Sequence, residues 1–388
     1  MPIIDVDAHA EPAPGWLADS PLAARLPQED QGEVTMKFVA GDLLADVPRE
    51  QWPTLQELIP PGIDAIRGER RVDGFSYDEA NQRAVADPAA RVAWLDANGI
   101  DAQNIICLEG LNFTRFLTDR ALAREVITEC NTWMADRHEG YTDRLMPVTA
   151  LDFEDLDWTI AEMERMRARG SRAFLITSAP VNGIPPMHSH FDRLWSAAVD
   201  LGMLPILHIG FNPARFDPGW ANVEGDMALL RQLGVCQNHQ SVQLFLNGMV
   251  FGGVFERHPD LTVLIAECGI HWFAGTVEHM EQRDARRVPT AGLFMGPYRW
   301  SLSPGEFVRR NVRITPLPNL HQAPIRLLDE YPECVVFSSD YAHNEGNPRP
   351  VDHYRQLLGG FNDDERAAFL GGNIADCFRR MGDPLPAP

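Results

Sequence analysis

Short apolar runs rich in β-branched residues recur along this chain, and stretches with a helical pattern separate them. This alternation predicts parallel strands, because a strand that returns in the same direction needs a long crossover connection. Eight such units in 388 residues predict an α/β protein with a single (β/α)8 TIM barrel. A doubly wound open sheet would show the same alternation and stays the alternative. The eight runs are IIDVDAH (3–9), QNIICL (103–108), LMPVTAL (145–151), RAFLIT (172–177), LPILHIG (204–210), LTVLIAE (261–267), VRITP (312–316) and CVVFSSD (334–340).

One connection between the predicted strands is much longer than the others. Residues 10–86 follow the first run, carry many prolines and charged residues, and precede the first clear helical pattern at 87–100. An insertion after a strand lies over the carboxyl-terminal rim of a barrel, where ligands bind. We therefore expect 1–388 to form one domain, with 10–86 serving as a lid at the rim or as a dimer contact.

Charge and composition exclude several classes of protein. The net charge of −21 repels nucleic acid, and no basic run offsets it. The longest apolar runs are strand-sized, far short of the about 20 residues that a membrane-spanning helix needs. No basic region followed by an apolar run opens the chain, so we expect a cytoplasmic protein. The six cysteines lack the spacing of a zinc finger or disulfide framework and are expected in the core.

The first predicted strand carries three polar residues at alternate positions, Asp5, Asp7 and His9. Alternate side chains of a strand share one face, so the sequence predicts all three in the barrel interior. Buried carboxylates without compensation are costly, and a cation is therefore expected beside them. We leave Asp5 out of the candidate ligands, because an acid so near the start of a chain is commonly a turn or capping residue.

Three further strands end on an acid or a histidine, namely His208, Glu267 and Asp340. Each alone has a structural explanation: a hydrogen-bonded core histidine, an ion pair inside the barrel, or a helix cap. Together they collect at the carboxyl ends of different strands, where barrel enzymes build their sites. A mixture of imidazoles and carboxylates suits a divalent metal such as Zn²⁺ or Mn²⁺. The sequence therefore predicts a shared metal site.

Longer segments of the chain carry a resemblance to a known family that runs nearly from end to end: DVDAH, DPAARVAWLDANGIDAQNIIC, HFDRLWSAAVDLGMLPILHIG, GGVFERHPDLTVLIAECGIHWF, FVRRNVRITPLP and FSSDYAHNEG. They match the amidohydrolase-related proteins of the aminocarboxymuconate semialdehyde decarboxylase type, a branch of the metal-dependent amidohydrolase superfamily with a distorted (β/α)8 barrel. The resemblance implies Asp7, His9, His208 and Asp340 as ligands of one divalent ion, with Zn²⁺ favoured over Mn²⁺, and a homodimer.

The chain departs from that family at two positions. Many relatives have His or Glu where this chain has Asp7, which makes the site more anionic. Many also have a strand-six histidine where this chain has Glu267, with His271 one helical turn later, so either of these two faces the metal. Asp340, Glu267 and His271 are the candidate catalytic residues, and His343 is expected to support Asp340 from behind. The fourth strand supplies no lysine, unlike binuclear relatives, so a single metal is expected.

The resemblance implies one of two reactions. Nonoxidative decarboxylation of a small aromatic or unsaturated carboxylic acid is favoured, and hydrolysis of an amide, lactone or carbon–carbon bond by a metal-activated water is the alternative. A noncatalytic scaffold is a third hypothesis, against which the intact set of polar residues argues. An anionic substrate on an acidic protein needs a local cation, and a planar ring needs aromatic walls. The candidates for these contacts are Arg115, Arg215, Phe211 and Trp272.

Overall fold

The structure is a computed structural model, and it contains the first seven of the eight predicted strands in the predicted order. Seven strands form one continuous, wholly parallel sheet in chain order. They are β1 (Ile4–His9), β2 (Ala102–Ile106), β3 (Leu145–Thr149), β4 (Ala173–Ile176), β5 (Leu204–His208), β6 (Val263–Ala266) and β7 (Val312–Ile314). The structure describes residues 1–12, 16–26, 87–114, 117–210, 227–237, 239–284, 286, 288, 290, 292–293, 296–317, 325–343, 346–347 and 349–385.

Helices follow the strands along the chain and cover the outside of the sheet. They are α1 (Pro88–Asn98), α2 (Glu109–Thr114), α3 (Arg120–Arg137), α4 (Leu156–Arg167), α5 (Asp192–Asp200), α6 (Met227–Gln237), α7 (Gln240–Phe251), α8 (Val254–Arg257), α9 (Phe273–Glu281), α10 (Pro304–Asn311), α11 (Ile325–Glu330), α12 (Pro350–Leu357), α13 (Asp363–Ala367) and α14 (Asn373–Arg380).

Residues 334–341, here called the closing segment, close the sheet into a barrel. Residues 334–340 were predicted as an eighth strand, and only isolated parallel bridges form in the closing segment, to β7 at Val335 and to β1 at Tyr341. On one side Val336 N–H donates to Ile314. On the other side Asp340 N–H donates to the Asp7 carbonyl oxygen at 2.9 Å. Because this segment bonds to both edge strands, the fold is the predicted TIM barrel and not an open sheet.

The barrel interior and the helix layer form two separate apolar cores. Ile105, Ile176 and Val263 pack outward against the helices. The interior residues come from alternate positions of the strands, as the period of two requires. They are Ile4, Val6, Ile106, Val148, Ala173, Leu175, Leu204, Ile206, Leu264, Ala266 and Val336.

Helix α1 follows the long insertion, and its ends fit the sequence signals. The Asp87 side chain accepts a hydrogen bond from Ala89 N–H, and Pro88 occupies the first turn. Gly99 ends the helix in the left-handed conformation, with φ of 68°. Of the insertion, residues 16–26 pack Leu17 and Leu22 on α3. Residues 27–86 lie outside the described residues, so its role as lid or dimer contact stays a prediction.

Arg91 of α1 joins the two chain segments that meet at the barrel closure. Its buried guanidinium donates to the carbonyl oxygens of His9 and Tyr341, at 2.9 and 3.2 Å. Its Nε–H donates to Gln103 Oε1 at 2.8 Å. The ring of Tyr341 lies beneath the guanidinium carbon, 4.6 Å away. Arg91 therefore holds the end of β1 against the end of the closing segment.

We expect Arg91→Ala to lower the free energy of unfolding by about 3 kcal/mol or more, because three buried acceptors lose their donor. Denaturant unfolding measures it. The matched control is Arg193→Ala, whose exposed ion pair with Asp157 predicts a loss of about 1 kcal/mol or less. Equal losses in the two variants would contradict the role given to Arg91.

Candidate metal centre

The polar residues of β1 do not all share one face, so that prediction is wrong for Asp5. Ile4 and Val6 pack in the barrel interior, which directs Asp5 between them outward. The pairing of β1 with β2 then shifts register between Asp5 and Ala8. This irregularity breaks the alternation and brings Asp7 and His9 together at the carboxyl end of the strand.

Asp5 is fully buried among hydrogen-bond donors on the outer side of β1. Its carboxylate accepts from Ser339 N–H at 2.9 Å, from Ser339 Oγ–H at 2.5 Å and from Gln103 Nε2–H at 2.6 Å. Burial nevertheless raises the pKa of the Asp5 carboxyl to about 6. Asp5 therefore ties β1 to β2 and to the closing segment, in line with its omission from the ligand set.

Asp7, His9, His208 and Asp340 meet in one buried cluster at the carboxyl ends of β1, β5 and the closing segment. Asp7 Oδ1 lies 3.4 Å from both His9 Nε2 and His208 Nε2. Asp340 Oδ1 lies 3.4 Å from His9 Nε2. All four side chains are at most 2% exposed. The structure thus brings together the four residues that the sequence predicted as ligands, and their ligand role stays a prediction.

The imidazole of His208 is oriented by a backbone carbonyl group. Its Nδ1 lies 2.8 Å from the Ile209 carbonyl oxygen. A carbonyl oxygen only accepts, so Nδ1 carries a hydrogen, and once Nε2 gives up its own proton to make room for a cation, its lone pair faces the cluster. Histidines that bind metals are commonly fixed in this way.

The carboxylates and imidazoles of the cluster shift one another's pKa values. Burial opposes the charged form of His208, but the carboxylates of Asp7 and Glu267 outweigh it and raise the pKa of His208 to about 9. Burial also opposes ionisation of Asp7, and the charges of His208 and His9 hold the pKa of its carboxyl well below its usual range. For Asp340, His343 and His9 outweigh burial and lower the pKa. Positive charge in the cluster therefore stabilises the ionised carboxylates.

The arrangement fits a divalent cation. Two ligand atoms about 2.1 Å from one ion lie about 3.0 to 3.4 Å apart, for octahedral or tetrahedral coordination. The distances of 3.4 Å among Asp7, His9, His208 and Asp340 match that spacing. Among the described residues, the carboxylate oxygens of Asp7 and Asp340 and the ring nitrogens of His9 have no hydrogen-bond partner. Buried polar atoms of this kind normally have a partner, and a cation would supply it.

The structure distinguishes between Glu267 and His271. Glu267 Oε2 lies 3.2 Å from His208 Nε2, and with His9 and Asp340 it forms a group whose ligand atoms lie within 4.8 Å of one another. His271 is exposed, and its ring lies against His239, 5.0 Å between centroids. Within the part of the chain that the structure describes, Glu267 and not His271 lies at the cluster.

Two further residues extend the cluster towards solvent. His343 Nδ1 lies 3.1 Å from Asp340 Oδ1, and its ring stacks on that of His9 at 3.7 Å. His343 thus lies behind Asp340, as the sequence predicted. Sequence reasoning missed Glu11, which with His9 and His343 forms another group of closely spaced ligand atoms. The signal was present, because Asp7, His9 and Glu11 continue the same alternation of polar residues.

A cavity of about 330 Å³ opens at the carboxyl ends of β3 and β4. Leu175 lines it and belongs to the interior core that also contains Val6 and Ala266, the residues before Asp7 and Glu267. The cavity and the cluster both lie at the carboxyl-terminal end of the barrel strands. The other lining residues are Leu111, Thr114, Arg120, Ile127, Leu151, Asp152, Phe153, Glu154, Ile176, Thr177, Ala179, Pro180, Val181 and Asn182.

The predicted substrate contacts are only partly described. Trp272 is buried, and its indole N–H donates to the Cys268 carbonyl oxygen at 3.0 Å, which is a packing role. Arg115, Arg215 and Phe211 lie outside the described residues. Their substrate contacts stay predictions.

Comparisons with known proteins agree with the barrel fold. A family model described as "Amidohydrolase" matches residues 4–380. An amidohydrolase from Mycobacterium avium subsp. paratuberculosis K-10 has a TM-score of 0.66 at 19% identity, over 97% of this chain and 99% of that one. The 5-carboxyvanillate decarboxylase from Sphingomonas paucimobilis has a TM-score of 0.59 at 19% identity, over 97% and 99%. A dihydroxybenzoic acid decarboxylase from Polaromonas sp. JS666, solved with bound manganese and 2-nitroresorcinol, has a TM-score of 0.60 at 17% identity, over 97% of each chain.

The protein is therefore a TIM-barrel member of the amidohydrolase family, with a carboxylate and imidazole cluster at the mouth of its barrel. At identities of 14–19%, the likeness to these solved structures shows a shared fold and does not assign their reactions to this chain. Of the helices that the structure describes, none has both the length and the apolar character needed to cross a membrane. The expected homodimer and cytoplasmic location stay predictions.

We expect Asp7→Asn to weaken divalent metal binding by more than about 100-fold, because even partners behind a ligand change affinity 10- to 100-fold. The control is Asp5→Asn, two residues away on the same strand. It should lower the free energy of unfolding by about 1 to 3 kcal/mol through its lost hydrogen bonds and change metal affinity less than about tenfold. Competition with a chromophoric chelator measures affinity. Similar affinity losses in both variants would mean that the metal does not contact Asp7.

Proposed function

We propose that this protein is a metal-dependent decarboxylase that removes the carboxyl group of a small aromatic or unsaturated carboxylic acid without oxidation. The observation that carries the proposal is the buried cluster of Asp7, His9, His208 and Asp340, whose spacing fits one divalent cation. Among the described residues, the carboxylate oxygens and the His9 ring nitrogens of this cluster have no hydrogen-bond partner, which a cation would provide. We favour Zn²⁺, with Mn²⁺ as the alternative.

The chemistry requires positive charge where the substrate carboxylate binds. When bound, a divalent cation polarises the substrate oxygens and stabilises negative charge that develops as the carbon–carbon bond breaks. Asp7, His9 and His208 would hold it, and the hydrogen bond from His208 Nδ1 to the Ile209 carbonyl oxygen fixes the ring for that task.

Asp340 is the candidate for proton transfer. As carbon dioxide leaves, the electron pair of the broken bond stays on the substrate carbon, which must then take up a proton. Asp340 belongs to the cluster, and its Oδ1 is 3.1 Å from His343 Nδ1. The His343 side chain is 29% exposed, so it provides a path from solvent to a carboxylate that is otherwise buried. In this mechanism Asp340, which its lowered pKa keeps ionised near neutral pH, takes a proton from His343 and passes it to the carbon.

The cavity at β3 and β4 supports a small substrate with an apolar body. Its volume of about 330 Å³ is at the low end of the range for small-molecule sites. Most of its wall is apolar, including Leu151, Phe153 and Ile176. Arg120 at its edge pairs with Asp152 and Glu154, at 3.0 and 3.3 Å. We therefore expect the apolar part of the substrate to lie in this cavity.

Hydrolysis is the second candidate. Two carboxylates, Asp340 and Glu267, flank the imidazoles, and either could accept a proton from an attacking water molecule. The two reactions differ in product. A panel of hydroxybenzoates is assayed for carbon dioxide release, and a panel of aryl esters, lactones and amides is assayed for acid release. Hydrolysis without any carbon dioxide release would replace the decarboxylase proposal.

Asp340→Asn separates metal binding from proton transfer. An amide can still offer an oxygen to a cation but cannot exchange protons near neutral pH. We expect the variant to keep a substantial share of its metal and to lose about 100-fold or more in turnover when saturated with metal. Turnover is measured on whichever substrate the wild-type protein accepts. Recovery to within a few-fold of wild type would reduce Asp340 to a ligand.

A further inference from the structure

Glu267 reaches the cluster only because the backbone turns at the end of β6. Leu264 and Ala266 face the barrel interior, so the regular alternation would point residue 267 outward. Instead, Glu267 has a left-handed backbone with φ of +57°. This conformation is unfavourable for most residues that carry a side chain. Glycine adopts it readily, and Asn and Asp adopt it more often than other residues. The turn directs the carboxylate inward, to 3.2 Å from His208 Nε2.

Neighbouring strands hold this strained residue in place. Glu267 N–H donates to Thr315 Oγ1 at 3.1 Å, and Thr315 N–H donates to the Ile265 carbonyl oxygen at 3.0 Å. Glu267 is 8% exposed, so its carboxylate lies in the same water-poor mouth as Asp7 and Asp340. Strain that is kept by surrounding structure indicates a functional constraint.

We propose that Glu267 is a direct cation ligand, and that it shifts the selectivity of the site from Zn²⁺ towards Mn²⁺. The inference rests on the cation site of the proposed function. The set then contains three carboxylates, Asp7, Glu267 and Asp340, with two imidazoles. Oxygen ligands favour harder cations such as Mn²⁺, whereas imidazole-rich sets favour Zn²⁺. Zn²⁺ binds most sites more tightly than Mn²⁺. Glu267 therefore reduces the difference between the Zn²⁺ and Mn²⁺ affinities of this site.

Three substitutions at Glu267 separate charge, donor type and backbone strain. Glu267→Gln removes the charge at constant shape. Glu267→His replaces an oxygen donor by a nitrogen donor. Glu267→Gly removes the side chain at a position whose φ suits glycine, so this variant is expected to fold at least as stably as wild type without metal. The control is Glu256→Gln on α8, where the carboxylate accepts from the N–H and the Oγ–H of Ser301.

The metal-containing proteins are dialysed against buffers that fix the concentrations of MnCl₂ and ZnCl₂, and the bound metals are measured by elemental analysis. We expect Glu267→Gln and Glu267→Gly to lose about tenfold or more in Mn²⁺ affinity and less in Zn²⁺ affinity. Glu267→His should raise the ratio of bound Zn²⁺ to Mn²⁺ by about tenfold or more. Glu256→Gln should leave the ratio at the wild-type value.

An unchanged ratio in Glu267→His, in protein that still binds one cation, would overturn this inference and leave the proposed function intact. Wild-type protein that binds neither cation would overturn both. Thermal unfolding of the metal-free proteins provides the second measurement. A Glu267→Gly variant that is less stable than wild type would show that Glu267 supports the fold and would also contradict the inference.

Discussion

Three buried carboxylates meet at the mouth of this barrel, and each lies close to an imidazole of the same cluster. Asp7, Asp340 and Glu267 are each at most 8% exposed, and like charges in such a place repel strongly. Without a cation, the pKa of His208 is raised to about 9, and its protonated ring offsets one of these negative charges. A divalent cation would supply more charge without a proton, and the cluster is spaced for it. The rest of the site serves to hold these groups together.

A second, polar layer behind β1 keeps the cluster in register. Asp5 joins Gln103 and Ser339, and Arg91 joins Gln103 to the ends of β1 and the closing segment. This layer ties the residues before Asp7 to the residues before Asp340. The two candidate ligands are 333 positions apart in sequence, and the backbone bond between them depends on that closure. Stability of the barrel and geometry of the site are therefore coupled.

Much of this arrangement could be predicted from sequence, because the carboxyl ends of parallel strands meet in any barrel. That ground placed Asp7, His9, His208, Glu267 and Asp340 together, and the family resemblance implied the four ligands among them. The prediction for Asp5 was wrong because a shift in register breaks the period of two. Neither that shift nor the left-handed turn at Glu267 has a local sequence signal such as glycine. The part played by Arg91 depends on contacts with carbonyl groups of two distant segments, which no local pattern encodes.

The central claim is that the cluster holds one cation. The most direct test is elemental analysis of the wild-type protein after expression in medium supplemented with Zn²⁺ and Mn²⁺. The account predicts close to one tightly bound divalent ion per chain, retained through gel filtration. A content well below one ion per chain would contradict it, and the buried carboxylates would then need another source of positive charge.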